Sequence, residues 1–142
     1  MDSFTPERRR PPSLERPRAL VVDGDDATRA FAAEALHSFA PGFDVATVRD
    51  PQQALAWLET FPPDLLVTDL GFASDRAGAL RERLRADTRT RSCRVVVVSS
   101  LPADDPRVEI ARLESDAVLI KPVGLPTLLE TVRRVMNRDR SH

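Results

Sequence analysis

A chain of 142 residues, 42% hydrophobic and 30% charged, suits one compact domain with a sizeable core and leaves no room for a second. Its formal net charge of -1 gives no general reason to expect nucleic-acid or membrane binding, and a single cysteine, Cys93, excludes both a disulfide framework and a cysteine-rich metal site. No apolar run is long enough for a membrane span and the N-terminus is too polar for a signal peptide, so a soluble, cytoplasmic protein is expected.

Residues 1–17 are rich in proline and arginine, with Arg8-Arg9-Arg10 and Pro11-Pro12 but no apolar periodicity, which predicts a disordered tail. Ala19-Leu20-Val21-Val22 reads as a first strand running into Asp23-Gly24-Asp25-Asp26. Phe31, Ala32, Ala35, Leu36 and Phe39 then recur at helical spacing, with Asp25 or Asp26 as N-cap and Pro41-Gly42 as the stop. Phe43 to Val48 reads as a more polar strand near a sheet edge. Asp50-Pro51 caps and opens a second helix whose buried stripe is Ala54, Leu55, Leu58 and Phe61, with Trp57 packed close to it.

Leu65-Leu66-Val67 is apolar at every position, as expected of an inner parallel strand, and ends on Thr68-Asp69. A loop from Gly71 leads to a third helix marked by Ala77, Leu80 and Leu84, and residues 87–94 read as a polar linker. Val95 to Val98 is the clearest strand, four β-branched residues ending on Ser99-Ser100. A helix opening near Pro106 is predicted to bury Val108, Ala111 and Leu113. Val118-Leu119-Ile120 forms the fifth strand and ends on Lys121-Pro122. The last helix opens at Pro126, with Leu128, Leu129, Val132, Val135 and Met136 facing inward, and no output domain is expected after it.

Regular alternation of strand and helix predicts a doubly wound α/β fold, a five-stranded parallel sheet with helices on both faces. Working groups of such sheets sit beyond the carboxyl ends of the strands, where Asp23, Asp69, Ser99 and Lys121 would converge. Lys121 is the only lysine among 21 basic residues, in a chain that otherwise uses arginine for every cation. Carboxylates beside a lysine and a hydroxyl suit phosphoryl chemistry. The acids and a main-chain carbonyl can hold Mg²⁺, Lys121 and Ser99 can stabilise phosphoryl oxygens, and Asp69 can act as nucleophile.

The residues Val21-Val22-Asp23, Pro63 to Asp69, Val98-Ser99-Ser100 and Lys121-Pro122, at these spacings, resemble the receiver domain of two-component response regulators. The likeness covers residues 18–138, leaving a short C-terminal tail at 139–142. It implies a flavodoxin-like (βα)5 fold, a stand-alone phosphoacceptor domain of the chemotaxis-regulator type, and no enzyme activity beyond self-catalysed phosphoryl transfer. By that resemblance Asp69 is the phosphoacceptor, Ser99 the switch hydroxyl and Lys121 the family lysine, with Mg²⁺ on Asp23, Asp69 and the Gly71 carbonyl. The implied partners are a histidine kinase or phosphotransfer protein and a downstream protein target bound through the fourth helix, fifth strand and fifth helix. Neither nucleic acid nor membrane is implied, and a homodimer stays open.

Three positions depart from the family pattern. Gly24 stands where a second acid is usual, so weaker Mg²⁺ binding is expected; Ala73 replaces a common loop proline; Val118 replaces the aromatic switch residue. Two alternatives stay open on sequence alone. One is a degenerate receiver that binds partners without phosphorylation. The other is a haloacid-dehalogenase-type phosphatase built on Asp23-Gly24-Asp25, in which Asp69 would have no role.

Overall fold

The computed structural model describes residues 16–39, 42–70 and 76–138. Residues 1–15 of the tail expected at 1–17, the C-terminal tail at 139–142, the loop from Gly71 with Ala73, and the packing of Ala77 lie outside the described residues, whereas Pro17, expected in the tail, accepts from Asp44 N at 2.9 Å. Ten elements alternate: β1 (Arg18–Val22), α1 (Asp26–Ser38), β2 (Asp44–Val48), α2 (Pro51–Trp57), β3 (Leu65–Thr68), α3 (Arg76–Ala86), β4 (Arg94–Ser99), α4 (Pro106–Glu114), β5 (Ala117–Ile120) and α5 (Leu125–Met136). The strands form one parallel sheet in the order β2-β1-β3-β4-β5. This is the flavodoxin-like doubly wound order, whose switch point falls between β1 and β3.

Both faces of the sheet are covered, which is why its central strands are apolar at every position. On one face, Val21, Val67, Val96 and Val98 pack against Ala32, Ala35 and Leu36 of α1 and Leu128, Val132 and Val135 of α5. On the other, Leu20, Leu66, Val95 and Val97 pack against Ala54, Leu80, Leu84 and Ala111 from α2, α3 and α4. Full enclosure of one such Val or Leu contributes roughly 2 kcal/mol, so β4 alone is a large part of the core. The predicted edge position of β2 is seen, with Thr47 exposed.

Local signals set the helix ends. Asp25 caps α1, its carboxylate accepting from the Thr28 amide (2.8 Å) and hydroxyl (2.6 Å). At α2 the cap is reciprocal: Asp50 Oδ1 accepts from Gln53 N, and Gln53 Oε1 accepts from Arg49 N, both at 2.9 Å, with Pro51 in the first turn. Asp50→Ala is expected to lower stability by about 1 kcal/mol, read as a shifted urea midpoint at unchanged slope. At the other end of the sheet, Arg94 donates Nε to Val135 O at 2.8 Å and Nη2 to Arg138 O, tying the close of α5 to the start of β4.

Two expectations need correction, for Leu113 and for the span 87–94. Leu113 is 86% exposed, because α4 is a short helix whose inward stripe is already completed by Val108 and Ala111. Trp57, expected beside the α2 stripe, stands edge-on to Phe61 of that stripe at 5.8 Å and keeps 42% of its surface exposed. The span 87–94 is more than a linker: Thr90 is buried and donates Oγ1 to Leu84 O at 2.8 Å, and Arg94 begins β4.

Candidate functional site

The parallel ladder continues one residue past three strands and thereby sets the level of the site. Asp69 N donates to Val22 O at 3.0 Å, Asp23 N to Val48 O at 3.2 Å, and Lys121 N to Ser99 O at 2.8 Å. Asp23, Asp69 and Lys121 continue the alternation of Val21, Val67 and Leu119, so all three follow the face covered by α1 and α5. Lys121 Nζ then lies 3.0 Å from Asp23 Oδ2 and 3.1 Å from Asp69 Oδ2. One ammonium is thus shared by two buried carboxylates. The following peptide bond, Lys121-Pro122, is cis.

The two serines at the end of β4 part company. Ser99 follows the alternation of Val95 and Val97 toward the opposite face, is fully buried, and engages the Leu101 main chain, its Oγ accepting from N at 2.9 Å and donating to O at 3.1 Å. Ser100 follows Val98, and its amide and hydroxyl both reach Asp69 Oδ1 at 3.4 Å. Ser100 is therefore a member of the site that sequence reasoning did not single out. Parity with Val98 carries that signal, but a strand apolar on both faces does not reveal which parity faces the site.

Burial alone pushes the Lys121 pKa down, but the hydrogen bonds and charges of Asp23 and Asp69 outweigh it and hold the ammonium above its ordinary value. A raised folded-state pKa makes the proton favour the folded state. This contribution is complete below the ordinary value near 10.5 and disappears as pH rises through the higher folded value. Wild-type stability should therefore fall across that alkaline window, and Lys121→Met should lack this part of the slope. The comparison is clean because the chain has no tyrosine and no other lysine. Urea midpoints measured on both proteins as a function of pH check it.

Asp25 is not drawn into the acid pair. Its carboxylate is spent on capping Thr28, which holds it below the usual range, while its amide donates to Asp23 Oδ1 at 2.9 Å. Gly24 is exposed, its φ is not positive, and a Cβ there would meet only Arg49 O at 3.7 Å. The turn does not require glycine. Arg29 braces the loop from the α1 side, donating to Asp23 O at 2.7 Å and Asp26 Oδ1 at 2.6 Å. Val118 is half-buried against the α2–α4 core. The predicted Gly71 carbonyl ligand lies outside the described residues.

Two carboxylates within reach of one ammonium, at the carboxyl edge of this fold, define a receiver-type site. The chain belongs to the response regulator receiver domain family, whose model matches residues 19–133. It is 31% identical over 125 residues to the transcriptional regulatory protein PrrA of Mycobacterium tuberculosis, covering 88% of this chain and 52% of that protein. It is 27% identical over 122 residues to the DNA-binding dual master transcriptional regulator RpaA of Synechocystis, covering 86% of this chain and 50% of the relative. The chain spans about half the length of these curated relatives. Among solved structures, a response regulator from Thermotoga maritima superposes with a TM-score of 0.72 at 25% identity, over 87% of this chain and all of that one. The domain is thus a two-component signalling module, not a classical enzyme, and its family works with histidine kinases and downstream effectors.

Receiver domains generally bind Mg²⁺ at the acidic pocket. Mg²⁺ needs only one or two carboxylates and keeps several waters, a donor set of the kind that Asp23 and Asp69 would offer. Among the described residues no group of three or more acid, histidine or cysteine side chains adds to that pair. No helix among the described residues is long and apolar enough to cross a membrane.

Proposed function

We propose that Asp69 accepts a phosphoryl group from a phosphohistidine of a partner histidine kinase or phosphotransfer protein, and that the phosphorylated domain signals by protein–protein contact. An Asp69 carboxylate oxygen attacks phosphorus, the phosphorus–nitrogen bond breaks, and its electron pair leaves on the imidazole. Lys121 is placed to offset charge on the phosphoryl oxygens as it shifts from the carboxylates. The Ser100 amide and hydroxyl already point at the acceptor. For Ser99 to serve as the hydroxyl donor, its Oγ must leave Leu101. Asp23 and Asp69, with the Gly71 carbonyl, would hold Mg²⁺, which supplies positive charge beside the transferring group. The shared ammonium between Asp23 and Asp69 is the observation that carries this reading. The output surface is the α4–β5–α5 face, where Ile110 and Leu113 stand exposed. Phosphoryl transfer from acetyl phosphate, read by intact mass, tests the proposal.

One observation favours the phosphorylation-independent alternative: the position of the missing acid, Gly24, has space for a side chain and none is there. Gly24→Asp is accordingly expected to tighten Mg²⁺ binding about tenfold, equivalent to about 1.4 kcal/mol, without loss of stability. A calorimetric Mg²⁺ titration of both proteins measures this. An unchanged affinity would mean that the lost carboxylate is not what limits the site.

A further inference from the structure

A cleft of about 480 Å³ lies between α1 and α5 beside the acid pair. Its walls are mainly apolar, formed by Phe31 and Ala32 of α1, Val67 and Val98 at the ends of β3 and β4, and Leu128 of α5. The volume is in the range of small-molecule sites, which run to roughly 300–1,000 Å³ and combine an apolar body with a few convergent polar groups. The cleft exists because the side chains that would close it are small: Ala27 on the exposed side of α1 and Val123 in the β5–α5 connection. Deeper in the same face, Leu36, Val132 and Val135 fill the space between the two helices completely.

Two charged side chains enter the cleft wall, Asp23 and Lys121. Asp23 is 3% exposed. Lys121 is shared by Asp23 and Asp69, so two carboxylates face one ammonium. Arg29, the next cation along α1, is turned away onto Asp26 and the main-chain oxygen of Asp23. The polar end of the cleft therefore carries excess negative charge in a poorly solvated setting, where a cation is favoured and an anion opposed.

We infer that this cleft binds a small amphipathic ammonium compound, its amine donating to the Asp23 carboxylate and its ring system lying against Val67, Val98 and Leu128. Such a ligand would sit next to the acceptor carboxylate and bias the site from the side. The inference concerns binding alone and does not rest on phosphorylation.

The test uses 1-naphthylmethylamine as probe and 1-naphthoate as its charge-reversed counterpart, each titrated into the full chain in Mg²⁺-free buffer. Methyl resonances of Val98 and Leu128 report occupancy. Saturable shifts at both residues are expected for the amine, with the carboxylate binding at least tenfold more weakly. Ala27→Leu and, independently, Val123→Phe fill the cleft from opposite lips and should each weaken amine binding tenfold or more. Ala27 is exposed on a helix, so its variant keeps the fold. The inference is overturned by absence of saturable shifts at Val98 and Leu128, by equal binding of amine and carboxylate, or by undiminished binding in a folded cleft-filling variant.

Discussion

Asp69→Asn is expected to take up no phosphoryl group from acetyl phosphate or phosphoramidate while remaining folded. The amide nearly matches the carboxylate in shape but lacks the charged nucleophilic oxygen, so the acyl phosphate cannot form. The fold survives because Lys121 keeps its contact to Asp23 at 3.0 Å, and an Asn Oδ1 can still accept from Ser100. Intact-mass spectra with a parallel circular dichroism melt give both readouts. A phosphoryl adduct retained by the variant would move the acceptor to another residue.

Lys121→Met should have the largest effect on stability of any substitution at the site. It leaves Asp23 and Asp69, both buried, facing each other without the ammonium that now lies within about 3 Å of each. Removing one partner of a buried ion pair typically costs about 3 kcal/mol, because the remaining charges stay uncompensated. Divalent cation can take the vacant role, so Mg²⁺ should raise the melting temperature of Lys121→Met more than that of wild type. Phosphoryl transfer should fall roughly 100-fold, as expected when one preorganised charge is removed from a transferring group. Urea titrations with and without Mg²⁺ check the first part. A variant as stable as wild type in the absence of metal would show that the triad is not held as the distances indicate.

The order of elements was legible because each strand is a compact apolar run and each helix has a marked start: Asp25, Asp50-Pro51, Asp105-Pro106 and Pro126 all fall in caps or first turns. Convergence of Asp23, Asp69 and Lys121 was legible too, since parallel strands bring their carboxyl ends to one edge. The facing of the serines was not. Val95 to Val98 is buried on both sides, so the period of two that assigns faces is erased from the sequence, and only the packed structure separates Ser100 from Ser99. Leu113 misled for a related reason: apolar character predicts burial only when the helix has a face left to bury, and α4 fills its face with Val108 and Ala111. The room beside Gly24 was equally hidden, because a glycine between acids reads the same whether or not its backbone needs it.

The central claim, that this receiver carries working phosphoacceptor chemistry on Asp69, is tested most directly by intact-mass spectrometry of the wild-type chain after incubation with acetyl phosphate, with and without Mg²⁺. The account predicts a single base-labile phosphoryl adduct that requires Mg²⁺ and maps to the peptide containing Asp69. No adduct at saturating Mg²⁺, from protein shown to be folded, would contradict it and leave a domain that binds its partners without phosphorylation.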